Sequence, residues 1–241
     1  MSPSSVLSSC PSTSLPDFQA EGMSMGHVQG PQPVLLPTSR NAPVSDTHCP
    51  GSPRTQPVEA IVRELLGELG TYDETSLYHS VRVARLARTL GRALNLTPVQ
   101  RQELHWGALL HDIGKLAVPR LVLNKPCALT SEERAWVDLH ASAGAELLAG
   151  YAVFPHAVVS IARHHHDAWK NAGAALPLLT KIVAVADVYD ALTSERPYKP
   201  AWTPAAAFAE LQRQAGQGID PQLVTAFAEA IRACPDFESS L

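Results

Sequence analysis

Helix signals recur along most of this chain, and they limit it to one fold class. Residues 55–70 space their apolar side chains three and four apart, which is the period of an amphipathic helix. The segments "TPVQ" (97–100) and "TSEE" (130–133) are capping boxes, each followed by a helix-length stretch. Two further helices are predicted where a cap residue precedes proline, at Thr203 and at Asp220. Strand-like alternation does not recur, so we expect a single all-α domain of about seven to eight helices.

The N-terminal segment has a different composition from the rest. Residues 1–53 contain 9 of the 20 prolines and 11 serines, without a periodic apolar face. A segment of this composition cannot bury enough apolar surface to offset the entropy lost on ordering. We therefore predict a disordered Pro/Ser-rich tail at 1–53 and one folded domain at 54–241.

Charge, cysteine content and hydropathy exclude several classes of protein. The formal net charge of −4 gives no basic field for a long nucleic acid. The four cysteines form no C-x-x-C pair, which favours a reduced, cytoplasmic setting. No apolar run reaches the length of about 18 residues that a membrane-spanning helix requires. The stretch "LSSC" (7–10) resembles a lipoprotein cleavage site, but neither a basic residue nor an apolar core precedes it. We expect a cytoplasmic protein.

Acidic side chains and a histidine stand in the apolar parts of two predicted helices. The motif "GALLHDIGK" places His111 and Asp112 at the end of an apolar run. Without any functional role, that motif would be a polar helix end, at which the charge of Lys115 interacts favourably with the helix dipole. The motif "KIVAVADVYDAL" places Asp187 in the middle of an apolar helix. A buried ionised carboxylate is costly unless a cation or a metal ion binds it, so Asp187 favours a metal site.

Further histidines lie on other predicted helices. His79 and His140 are isolated, and each alone would be interpreted as an ordinary surface or core residue. The segment "IARHHHDAW" contains three consecutive histidines, 164–166. Successive side chains on a helix are rotated by about 100° about its axis, so all three histidines cannot face one point. At least one of them is therefore not a ligand. If two of these three histidines are ligands, the chain offers seven candidate metal ligands on five predicted helices.

The chemistry of this set predicts the kind of metal and the number of ions. Imidazole and carboxylate without thiolate suit divalent Fe, Mn, Zn, Ni or Mg. Seven ligands exceed what one catalytic metal with an open position takes. The set therefore fits two metal ions that share a bridging carboxylate and a bridging water.

These motifs, in this order, resemble the HD-GYP branch of the HD superfamily of metal-dependent phosphohydrolases, bacterial phosphodiesterases that cleave cyclic di-GMP. The resemblance extends over about residues 55–233. It implies the helical HD fold and hydrolysis of cyclic di-GMP by a hydroxide that two metal ions generate from water. The matching segments are "HDIGK", "LTSEERAWVDLHASAGAELL", "ARHHHDAW" and "KIVAVADVYDALTSERPYK".

The resemblance also implies a role for each matched position. Asp112 corresponds to the carboxylate that bridges two ions, for which Fe or Mn is favoured and Zn, Ni or Mg is an alternative. Lys115 resembles the lysine that faces the scissile phosphate, and His164 matches no ligand position. The residues implied as metal ligands are His79, His111, Asp112, His140, His165, His166 and Asp187. The residues implied to hold the substrate are Asp190, Arg196 and Lys199.

The sequence departs from the family pattern at three places. Asp167 stands where the family has Glu, and we expect it to orient a ligand or a water without binding metal. Thr75 stands where some members have a Glu for a third metal, which favours two ions. The loop D-G-x-G-Y-P is replaced by the shorter "KNAGAALPLLT" (170–180), which lacks Tyr.

The altered loop at 170–180 leaves two alternatives for the function, because in the family this loop lies near the substrate mouth and partner surfaces. One alternative is an HD phosphohydrolase that acts on another nucleotide. The other is a non-catalytic module that binds cyclic di-GMP or serves as a scaffold. The partners expected are a cyclic dinucleotide or another nucleotide phosphoester, with a homodimer or a signalling protein as macromolecular partner, and neither membrane nor long nucleic acid.

Overall fold

The computed structural model describes residues 57–170, 175–195, 200–216 and 219–233. These residues form helices joined by short connections and contain no strand, so the predicted all-α fold class is confirmed. None of the described helices is both long enough and apolar enough to span a membrane. The predicted tail at 1–53 lies outside the described residues. The helices are α1 (Val58–Tyr72), α2 (Glu74–Ala93), α3 (Pro98–Leu110), α4 (Arg120–Leu123), α5 (Ser131–Asp138), α6 (His140–Ala149), α7 (His156–His164), α8 (Asp167–Lys170), α9 (Leu178–Thr193), α10 (Pro204–Gln214) and α11 (Pro221–Arg232), with a 3₁₀ turn at Ile113–Ala117.

The predicted capping residues begin the helices as expected. The Thr97 hydroxyl accepts a hydrogen bond from the Gln100 amide at 3.3 Å, and the Gln100 side chain accepts one from the Thr97 amide at 3.0 Å. Thr130 caps α5 by the same reciprocal pair of bonds. Thr203 and Asp220 cap α10 and α11, each directly before a proline. Both capping boxes and both cap–proline starts are confirmed.

One segment that the sequence presents as a single helix is divided into two. After Thr130 the chain forms α5 and then α6, with Leu139 between them. The Nδ1 atom of His140 donates a hydrogen bond to the carbonyl of Val137, three residues earlier. A side-chain hydrogen bond to a carbonyl competes with the backbone hydrogen bond that the same carbonyl would accept in a continuous helix. The division brings the helices of eight or more residues to nine in the described part of the chain, and it makes His140 the first residue of α6.

Helix α9 lies at the centre of the domain. Its segment from Ile182 to Ala186 is fully buried, and it packs against α2, α3, α7 and α10. A helix that is apolar on all sides is stable in water only when neighbouring helices cover it. Helix α2 packs against α1, α3, α9 and α11 and covers one side. Acidic side chains at the C-terminal half of α9 therefore enter the interior of the domain.

The 3₁₀ turn that follows His111 and Asp112 lies directly against α6. A Cβ atom added at Gly114 would overlap the carbonyl oxygen of His140 and the amide nitrogen of Gly144, and would lie 2.8 Å from the His140 carbonyl carbon. A Cβ atom added at Gly144 would lie 3.0 Å from the Gly114 nitrogen. The two glycines therefore permit backbone-to-backbone contact. This contact fixes how close His111 and Asp112 come to His140.

We predict that Gly114→Ala destabilises the protein by about 2 kcal/mol or more, because a rigid backbone rather than a flexible side chain must move. Urea unfolding of the full chain measures the effect. The matched control is Gly67→Ala in α1, where an added Cβ meets nothing within 4 Å. That control should stabilise the protein by about 0.5–1 kcal/mol through helix propensity. Equal unfolding midpoints for Gly114→Ala and wild type would refute the packing argument.

Candidate metal centre

The structure brings seven histidine and aspartate side chains from five parts of the chain into one cluster. Among the described residues, their donor atoms form three overlapping groups, within each of which all atoms lie within 4.8 Å of one another. The groups are His140, His165 and His166; His79, His111 and Asp112; and His111, His165 and Asp187. Together the three groups contain the same seven residues that the sequence motifs singled out.

Three imidazoles meet on the side of the cluster formed by α6 and the end of α7. The Nε2 atom of His140 lies 3.2 Å from Nε2 of both His165 and His166. The Nδ1 atoms of His140 and His165 donate to the carbonyls of Val137 and Ala162. A neutral imidazole that donates through Nδ1 presents a lone pair at Nε2. His140 and His165 thus turn two lone pairs toward each other, an arrangement that a cation between them would stabilise.

His111 presents a third lone pair to the same cluster. Its Nδ1 donates to the carbonyl of Ala108 at 2.8 Å, and its fully buried Nε2 has no hydrogen-bond partner among the described residues. A buried nitrogen without a partner is uncommon and calls for a ligand. Burial lowers the pKa of His111, of His166 and, most strongly, of His165. Neutral imidazole is the form that binds metal, so these residues fit a metal centre.

The carboxylate of Asp112 lies between two sets of imidazoles. Its Oδ1 atom is 3.3 Å from Nε2 of His140 and 3.9 Å from Nε2 of His165. Its Oδ2 atom is 3.4 Å from Nε2 of His111 and 3.7 Å from Nε2 of His79. Each oxygen therefore faces a different part of the cluster. A carboxylate that bridges two ions requires this orientation.

Lys115 lies beside this carboxylate. Its Nζ atom is 2.6 Å from Oδ2 of Asp112, and its side chain is 20% exposed. Burial opposes ionisation of Asp112, but Lys115, followed by His111 and His140, outweighs burial and holds the pKa of the carboxyl well below its usual range. Asp112 is therefore ionised, and the cation next to it reaches the edge of the cluster.

His79 is held between two carboxylates of α9. Its Nε2 is 3.0 Å from Oδ1 of Asp187, and its Nδ1 is 2.7 Å from Oδ2 of Asp190. Burial opposes the charged imidazolium, but the hydrogen bonds to both carboxylates outweigh it and raise the pKa of His79 to about 9. Burial likewise opposes ionisation of Asp187, and the hydrogen bond with His79 outweighs it and lowers the pKa of that carboxyl.

The position of Asp190 differs from the one that a substrate-binding residue would be expected to have. We expected Asp190 to hold substrate, but it is 1% exposed and both of its oxygens are engaged within the domain. Arg82 binds the carboxylate through two bonds, Nε to Oδ1 at 2.7 Å and Nη2 to Oδ2 at 2.9 Å. Asp190 therefore orients His79, as hydrogen-bonded carboxylates orient metal-binding histidines in proteins.

Arg82 is the residue that the sequence analysis missed. It stands three residues after His79 on α2, which places both side chains on one face of the helix. The signal that would have identified it is the buried carboxylate of Asp190, which requires a cationic partner.

The three consecutive histidines separate in the structure. His165 and His166 enter the cluster, whereas the side chain of His164 is 37% exposed and its Nδ1 lies 2.7 Å from Oδ2 of Asp167. We expected Asp167 to orient a ligand or a water, but its carboxylate is bonded to the histidine that stands outside the cluster. Arg196 and Lys199, expected to hold the substrate, lie outside the described residues.

We predict that Arg82→Ala weakens metal binding by about 10- to 100-fold, because Asp190 then loses the group that fixes it against His79. Competition with a chelator measures the affinity. Arg88→Ala, on the same helix but outside the cluster, serves as the matched control and should leave the affinity unchanged. If the affinity of Arg82→Ala matched that of the control, Asp190 would not act on the centre in this way.

Comparison with known proteins identifies the family of this chain. The family described as "HD domain" matches residues 63–223. A cyclic di-GMP phosphodiesterase of Pseudomonas aeruginosa is 39% identical over 177 residues, which are 70% of this chain and 42% of the relative. The chain thus spans less than half the length of that relative.

Solved structures of phosphodiesterases and of an HDG"Y"P protein are also similar to this chain. A cyclic GMP-AMP-specific phosphodiesterase of Vibrio cholerae is 33% identical with a TM-score of 0.51, covering 74% of this chain and 42% of that one. A protein described as HDG"Y"P, from Bdellovibrio bacteriovorus, superposes with a TM-score of 0.56 at 21% identity, covering 71% of this chain and 60% of that one, and shows the shared fold. The chain belongs to the HD domain family.

Proposed function

We propose that this chain hydrolyses a phosphodiester bond of a cyclic dinucleotide, with cyclic di-GMP as the first candidate, at a centre of two divalent metal ions. The observation that carries this proposal is the orientation of Asp112. One of its oxygens faces His140 and the other faces His111 and His79, with a lysine ammonium alongside. The name of the Pseudomonas relative supports cyclic di-GMP as the substrate.

The seven clustered side chains would hold the two ions, His79 after losing the proton that it shares with Asp187, and the donor chemistry of the others supports this assignment. The lone pairs of His111, His140 and His165 point into the cluster without a proton donor, and two aspartates supply negative charge. Fe or Mn is favoured for this nitrogen and oxygen set, with Zn, Ni or Mg as alternatives. When bound, two such ions would generate hydroxide from water at neutral pH and offset negative charge on the phosphate.

Lys115 would act on the charge that develops during cleavage. Its ammonium ends a flexible stem at the edge of the cluster, and the ion pair with Asp112 keeps it close to where a phosphate would bind. With Asp112 holding the ions, the Lys115 ammonium would be available to phosphate oxygens. A cation positioned in this way stabilises the transition state more than the bound substrate. The roles of Arg196 and Lys199 in holding the substrate phosphates stay predictions from the family resemblance.

Cyclic GMP-AMP is the second candidate substrate. The Vibrio structure that resembles this chain is of a phosphodiesterase specific for that dinucleotide. The departure of residues 170–180 from the family loop leaves the choice of base open, because that loop lies near the substrate mouth in the family. A homodimer or a signalling-protein partner likewise stays a prediction from the sequence.

We predict that metal-loaded protein converts cyclic di-GMP to a linear product, as measured by chromatography, and hydrolyses cyclic GMP-AMP more slowly. Lys115→Ala should lower kcat by about 10²- to 10³-fold with KM nearly unchanged, because the lysine acts mainly in the transition state. Lys181→Ala on α9, outside the cluster, is the matched control and should retain activity. A change in KM alone for Lys115→Ala would make the lysine a binding residue.

Binding without turnover would favour the remaining alternative. If metal-loaded wild-type protein bound cyclic di-GMP but hydrolysed neither dinucleotide, the chain would be a non-catalytic binding module. If it bound neither dinucleotide but hydrolysed another nucleotide phosphoester, the reaction class would stand and the substrate would be wrong.

A further inference from the structure

We propose a second binding site, on the outer side of the α2–α3 pair, for a small phosphate anion that carries at least two negative charges. A cleft of about 550 Å³ opens there, which is within the usual size range of small-molecule sites. The cleft shares no residue with the metal-centre cluster. Its lining residues are Arg88, Arg92, Pro98, Arg101, Gln102 and His105.

Positive charge converges on this cleft without compensation. Three guanidinium groups line it, no carboxylate does, and within the described residues Arg88, Arg92 and Arg101 form no ion pair. The chain as a whole carries a formal charge of −4, so the positive charge of the cleft is local and does not reflect a generally basic surface. Like charges held around one concave space repel each other, and a bound anion would turn that repulsion into attraction.

Local helix electrostatics do not account for these arginines. Arg88 and Arg92 are four residues apart on α2, a spacing at which like charges destabilise a helix. Arg101 is the fourth residue of α3, close to the N-terminal end of the helix dipole, where a cation is unfavourable. Only Arg92, in the last turn of α2, matches its helix dipole. The arrangement therefore has an electrostatic cost in the absence of a ligand.

His105, which also lines the cleft, adds no charge to it. Nδ1 of His105 is buried and has no hydrogen-bond partner among the described residues. Burial and then the charge of Arg88 lower the pKa of His105, so the ring is neutral near pH 7 and adds no further charge. Among the residues that line the cleft, the positive charge therefore comes from the three arginines alone.

The geometry of guanidinium selects phosphate among anions. Its planar donors match two oxygens of a phosphate group, and three such groups match a dianion or a diphosphate better than a single carboxylate. A cleft of about 550 Å³ accommodates a small molecule rather than the surface of a macromolecule. Inorganic diphosphate and a nucleoside diphosphate share the required chemistry, and the experiment separates them.

The cleft is also separate from the metal centre in space. His105 and His111 are six residues apart on α3 and its C-terminal cap, which corresponds to roughly 9 Å along the helix axis. Binding at the two sites can therefore be eliminated independently by substitution.

The experiment titrates full-length, metal-loaded protein with inorganic pyrophosphate and, separately, with GDP by calorimetry. The triple variant Arg88→Gln, Arg92→Gln, Arg101→Gln should bind at least about tenfold more weakly, because several charge-assisted hydrogen bonds are lost. Its metal content and cyclic di-GMP hydrolysis should equal those of wild type. The matched control removes the same charge from three exposed arginines elsewhere, Arg63→Gln, Arg134→Gln and Arg232→Gln, and should bind as wild type does.

Asp112→Asn excludes the metal centre as the place where phosphate binds. The proposal predicts that Asp112→Asn retains the binding that the cleft variant loses. Loss of binding in Asp112→Asn with retention in the cleft variant would overturn it, as would equal weakening in the cleft variant and the control. If pyrophosphate binds as tightly as GDP, the cleft recognises the phosphate groups alone. If GDP binds more tightly, the nucleoside also contacts the protein.

Discussion

The backbone contact between Gly114 and α6 is the constraint on which the rest of the site depends. The 3₁₀ turn after Asp112 lies against the His140 carbonyl and the Gly144 amide with no side chain between them. This contact brings the end of α3 to the start of α6, and Asp112 thereby comes within 3.3 Å of Nε2 of His140. The division between α5 and α6 contributes, since it makes His140 the first residue of a helix whose small residues permit that approach.

One side of the resulting cluster consists of imidazole lone pairs that no proton donor meets. His140 and His165 turn lone pairs toward each other at 3.2 Å, and the Nε2 of His111 has no partner among the described residues. On the opposite side, His79 is held between Asp187 and Asp190, and Arg82 holds Asp190 in turn. Rigid, hydrogen-bonded donors of this kind favour metal binding because little reorganisation accompanies it.

Much of the fold and the membership of the cluster could be predicted from the sequence. Capping boxes at Thr97 and Thr130 act locally, so their helices follow from a few neighbouring residues. Asp187 was recognisable because an apolar helix offers a carboxylate no solvent, and His111 with Asp112 because they end an apolar run. The resemblance to the HD-GYP branch selected His165 and His166 from three identical neighbours.

Other features depend on tertiary contacts that no local pattern encodes. The buried ion pair of Asp190 could not be predicted because its partner, Arg82, lies 108 residues earlier in the chain. The α5–α6 division depends on a side-chain bond to a carbonyl within an otherwise helical pattern, and the partner of Asp167 depends on which way His164 turns. The cleft lined by Arg88, Arg92 and Arg101 was not predicted, since its charges converge only when α2 packs against α3.

Anomalous diffraction from crystals of manganese-loaded protein tests the central claim most directly. We expect two anomalous peaks inside the cluster, with the Asp112 carboxylate contacting both and with His165 and His166, but not His164, among the ligands. A single peak, a peak bound by His164, or an Asp112 carboxylate that contacts neither ion would contradict the proposed two-metal centre.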